Sequence, residues 1–64
     1  MNVDPQLLDV VALLEDLPEH RLVRGQVGTV VELLDKAYEV EFCDDDGKTY
    51  AEVALEADQL LVLH

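Results

Sequence analysis

Antiparallel β structure is the fold class this sequence predicts, and three stretches predict it. Residues 37–43 alternate, with Tyr38, Val40 and Phe42 on one face and Glu39 and Glu41 on the other. Residues 49–55 alternate again, setting Ala51, Val53 and Leu55 against Tyr50, Glu52 and Ala54. Residues 26–34, Q-V-G-T-V-V-E-L-L, are rich in β-branched side chains and too densely apolar for a surface strand.

The remaining elements fall between turn signals. In residues 8–14 the pattern is divided: Asp4-Pro5 followed by Leu7, Val10, Val11 and Leu14 is the spacing of an N-capped amphipathic helix, yet the paired valines also suit a strand. A long loop follows through residues 17–24, opened by Pro18 and closed by Gly25. Asp35-Lys36 leaves room only for a tight hairpin between the second and third strands. Residues 44–48, D-D-D-G-K, form the next turn, where Gly47 supplies the positive φ that a short hairpin loop commonly requires. Residues 56–58 make one 3-10 turn, and residues 60–63 a short closing strand.

Composition bounds the rest. The chain has 64 residues and a net charge of −11, four Lys and Arg against fifteen Asp and Glu, while half its positions are hydrophobic. Such a balance folds into a single domain rather than staying disordered. A core of this size rarely supplies more than roughly 3–5 kcal/mol without a staple or a partner. The lone Cys43 forms no internal disulfide, and two histidines give no zinc spacing. With no basic leader and no apolar run long enough to span a bilayer, a cytoplasmic protein is expected. An acidic chain is repelled by phosphate backbones and anionic lipid, so neither nucleic acid nor membrane is an expected partner.

Four segments together point to a family. L-D-V-V-A-L-L-E-D-L-P (residues 8–18), R-G-Q-V-G-T-V-V-E (24–32), Y-E-V-E-F (38–42) and D-Q-L-L-V-L (58–63) closely resemble the small bacterial family called domain of unknown function 4926. The G-x-x-G-x-V-V run is also similar to the core of SH3-like barrels. What the resemblance implies is the fold: a small five-stranded antiparallel SH3-like barrel, all-β, with one 3-10 turn before the last strand and a strand at residues 8–14. It brings no activity and no catalytic residues. In a tightly coiled barrel Gly28, in mid-strand, marks a bend or a close backbone approach.

Candidate sites follow from the strand faces. If Tyr38, Val40 and Phe42 point inward, then Glu39 and Glu41 point outward, and Glu52 and Glu32 join them. Like charges opposite one another across strands are unfavourable, so this face suggests a basic partner, although solvation alone also accounts for a charged face. An exposed Leu22-Val23 tip in the long loop is a second candidate contact. The three aspartates 44–46 lack the ligand alternation of a calcium loop and are expected to serve the turn. Cys43 beside three aspartates is no nucleophile. His20 is a loop residue and His64 a frayed terminus. Tyr38 and Tyr50 are too few rings for a proline-motif groove.

With no serine, no phosphate-cradling loop and no cofactor motif, no catalytic, cofactor or metal site is expected. The functional expectation is a noncatalytic, acidic protein-interaction module with a protein partner, and homo-oligomerisation is left open. Two narrower alternatives are an antitoxin or immunity-type protein that neutralises a basic enzyme, and an accessory subunit of a larger complex.

Overall fold

The computed structural model describes residues 4–63, so the expectation for His64 lies outside the described residues. Its strands are β1 (Val10–Leu13), β2 (Val27–Leu33), β3 (Tyr38–Cys43), β4 (Thr49–Leu55) and β5 (Leu60–Val62). They form one antiparallel sheet in the order β4-β3-β2-β1-β5. The expected 3-10 turn before the last strand is present at Ala57–Gln59, where the Glu56 N–H donates to Gln59 Oε1 at 2.8 Å. A second one, Pro18–His20, opens the long loop and was not expected. No pairing joins β4 to β5 among the described residues, so closure of the sheet into a barrel is not detected.

Strand pairing resolves the ambiguity at the N-terminal segment. β1 lies between β2 and β5, with Val11 opposite both Gly28 and Val62. Hydrogen bonding on both sides and burial of Val11 and Leu13 outweigh the helical spacing of the leucines and valines. Ahead of β1, the Gln6 N–H donates to Asp9 Oδ2 at 2.8 Å and the Asp9 N–H to the Gln6 carbonyl at 3.0 Å. That turn ties down the residues that would have begun a helix.

The core is apolar throughout: Val11, Leu13, Leu17, Leu22, Val30, Val40, Phe42, Val53, Leu55, Leu60 and Val62 are buried, and no buried polar or charged residue is found among the described residues. Inward positions on β3 and β4 match the alternation, with Tyr38 and Ala51 packed against the core's edge. One expectation is corrected here. Leu22 is not an exposed tip residue; it is 1% exposed and sits in the core with Leu17. The cause is a small bridge inside the loop, in which the Leu17 N–H donates to the Leu22 carbonyl at 2.9 Å and the Leu22 N–H to the Leu17 carbonyl at 3.1 Å. Both leucines turn inward from that bridge. Val23, the next residue, turns out and is 57% exposed.

Gly28 occupies the expected crowded position. A Cβ there would stand 2.8 Å from the Glu41 carbonyl oxygen, 2.8 Å from Val40 Cγ1 and 2.9 Å from Phe42 Cδ1. Only a residue without a side chain lets β2 lie this close over β3.

Candidate functional site

The register of β2, β3 and β4 brings the four predicted glutamates together. Glu32 stands opposite Glu39 across β2 and β3, and Glu41 stands opposite Glu52 across β3 and β4. A register irregularity between Val30 and Glu32 is what brings Glu32 level with Glu39. Since Val40 and Phe42 fill the inside, all four carboxylates share the outer face; Glu32 and Glu52 are exposed, Glu39 and Glu41 half-buried. Directly paired residues place their Cβ atoms about 5 Å apart, close enough for like charges to destabilise the pair.

Nothing on the strands neutralises them. Arg21, Arg24, Lys36 and Lys48, the whole basic complement, lie in the connections between strands. Beside the face, the exposed Cys43 donates through Sγ to Glu41 Oε1 at 3.6 Å and lies 3.9 Å from Thr49 Oγ1. The thiol therefore borders the acidic rows from the outside, as its place in the alternation requires.

The aspartate turn is occupied by its own backbone. Asp44 Oδ1 accepts from the Asp46 N–H at 2.9 Å and from the Lys48 N–H at 3.0 Å, and Gly47 adopts a φ of 81°. Asp44 thus spends its carboxylate on closing the β3-β4 hairpin. Similarly, in the long loop Asp16 Oδ1 accepts from the Arg24 N–H at 2.8 Å, and Gln26 Oε1 from the Val23 N–H at 2.7 Å. These bonds hold Val23 outward on a braced loop. Tyr50 is exposed and its hydroxyl accepts from Gln26 Nε2, while Tyr38 lies against the core. The two rings do not line one surface.

One set of surface residues was missed by the reading of the sequence. On the other half of the same outer face, Val10, Val27, Leu61 and Leu63 are exposed and Ala12 is half-buried. Ala12 pairs with Val27 on one side and Leu61 on the other, and the Leu63 N–H donates to the Val10 carbonyl at 2.9 Å. These side chains form adjoining apolar rows. Their signal was hidden because β1 and β5 are apolar on both faces, so hydrophobicity alone does not tell inward from outward positions.

Comparison with the curated proteins and with the solved structures gives no significant match. A family model described as Domain of unknown function (DUF4926) matches residues 7–62, which takes in all five strands. This chain belongs to the DUF4926 family.

Proposed function

We propose that this protein is a small noncatalytic interaction module that engages a basic protein partner through Glu32, Glu39, Glu41 and Glu52. The observation that carries the reading is the direct cross-strand pairing of Glu32 with Glu39 and of Glu41 with Glu52 on strands that hold no cation. Each such pair weakens the free protein, and a partner that supplies lysines or arginines relieves it while gaining electrostatic steering. An apolar core and the commitment of Asp44 to its turn support a role without catalysis. Cytoplasmic residence belongs to the same reading and is supported by the exposed free thiol of Cys43.

The frame for this surface is, in our reading, of the SH3-like barrel type. Its support is the meander of β2, β3 and β4, the placement of β5 beside β1, the 3-10 turn before β5 and the close approach at Gly28.

Capture of partners from the native host, with the wild-type chain and with the Glu39→Lys, Glu41→Lys variant, tests the function. The variant is expected to lose the wild-type partner; retention of that partner at equal strength overturns the reading. The antitoxin alternative is a narrower form of the same chemistry, in which the basic partner is an enzyme encoded alongside. A neighbouring gene whose expression is tolerated only when this protein is present selects it.

A further inference from the structure

The outer face of β5, β1 and β2 presents apolar side chains that the acidic reading does not use. Single exposed leucines and valines are ordinary on a protein surface, but adjoining rows of them mark contact surfaces. Here Leu61, Ala12 and Val27 make one row across three strands. In the next row Val10 pairs with Thr29, Thr29 with Glu41, and Glu41 with Glu52. That second row passes from apolar to acidic within one line of neighbours, with the half-buried Thr29 at the change.

The charge boundary says what covers the apolar half. A second copy of the chain brings another net charge of −11, and repulsion between two such chains opposes self-association. An occupant that is apolar where Val10, Ala12, Val27, Leu61 and Leu63 lie, and cationic where Glu41 and Glu52 lie, meets both halves. We propose that this face docks an amphipathic, lysine- or arginine-bearing segment of another protein, its apolar stripe against β5, β1 and β2 and its cations against the β3-β4 glutamates. The inference rests on the acidic-face reading for its charged half and adds the apolar half, which fixes the class of partner.

Three synthetic peptides of equal length test it without any change to the protein. The first carries leucines at helical spacing with lysines elsewhere; the second keeps the leucines and replaces lysine by glutamate; the third keeps the lysines and replaces leucine by glutamine. Binding is read by calorimetry, and its location by amide shifts in NMR spectra. The leucine-lysine peptide is expected to bind and to shift the amides of Val10, Ala12, Val27 and Leu61 together with those of Glu41 and Glu52. The Val10→Thr, Leu61→Gln variant, altered only at exposed positions, is expected to bind it about tenfold more weakly, the loss that follows from leaving one or two apolar side chains uncovered.

Equal binding of the lysine-glutamine peptide, with shifts confined to the glutamates, overturns the apolar docking and leaves the acidic-face reading standing. Equal binding of the leucine-glutamate peptide overturns both. Sedimentation as a dimer that Leu61→Gln dissociates gives the face to a second copy and overturns the proposal.

Discussion

Replacing Gly28 by alanine should destabilise the protein by about 1–2 kcal/mol, and the figure follows from the contacts its Cβ would make. Carbon and its neighbours pack best at about 3.5–4.0 Å. The three nearest atoms would stand at 2.8, 2.8 and 2.9 Å, so β2 and β3 must separate or two core side chains must shift. Val40 and Phe42 are fully buried and have nowhere to go, and the Glu41 carbonyl belongs to the backbone of β3. Such overpacking costs about 2 kcal/mol, the middle of a range of about 1–3 kcal/mol. Lower chain entropy in the unfolded state offsets about 0.4–1 kcal/mol of it. For a domain of this size the remainder is a large share of the total and lowers the melting temperature by about 4–16 °C. Urea unfolding followed by circular dichroism reads the change as a lower midpoint at constant slope. Gly25→Ala and Gly47→Ala are the controls: no atom lies within 4 Å of either Cβ, and their cost of about 1 kcal/mol arises from φ values of 92° and 81° alone. A Gly28→Ala protein within about 0.3 kcal/mol of wild type would show that β2 does not lie against β3 as described.

Three further outcomes are expected. Leu22→Ala should lose about 2–5 kcal/mol in the same urea assay, because it empties a fully buried site, whereas Val23→Ala should stay within about 0.5 kcal/mol. Asp44→Ala should lose about 1 kcal/mol with its two backbone hydrogen bonds, and Asp45→Ala should change little. Glu52→Lys should stabilise the free protein by about 0.2–1 kcal/mol, since it sets an opposite charge across from Glu41, and the gain should shrink as salt is added. Loss of partner binding in that same variant would separate function from stability.

The legible parts of this fold were those with one dry face and one wet face. β3 alternates throughout and β4 from Ala51 onward, so Glu39, Glu41 and Glu52 were placed on one outer face from residue order alone, whereas Glu32 is brought level with Glu39 by the irregularity between Val30 and Glu32. β1 was illegible locally because its pattern fits two periods; only its position between two hydrogen-bonding neighbours makes it a strand. Leu22 was misplaced for a related reason. Loop composition suggested an exposed tip, but a two-residue bridge with Leu17 turns it inward, and such a bridge leaves no mark in residue type. The apolar outer rows were missed where both faces of a strand carry leucine, valine and alanine. What remained readable even there was Gly28, since a glycine amid valines has a physical cost that only close packing explains.

Binding of a cationic partner by the paired glutamates of the β2-β4 face, as proposed, is tested most directly by the salt dependence of its affinity. Dissociation constants for the captured partner are measured from low to high salt with the wild-type chain and with Glu39→Lys, Glu41→Lys. Wild-type affinity is expected to be highest at low salt and to fall steadily as salt rises, and the variant to bind weakly throughout with that dependence lost. Affinity that is flat with salt and equal in both proteins would contradict it.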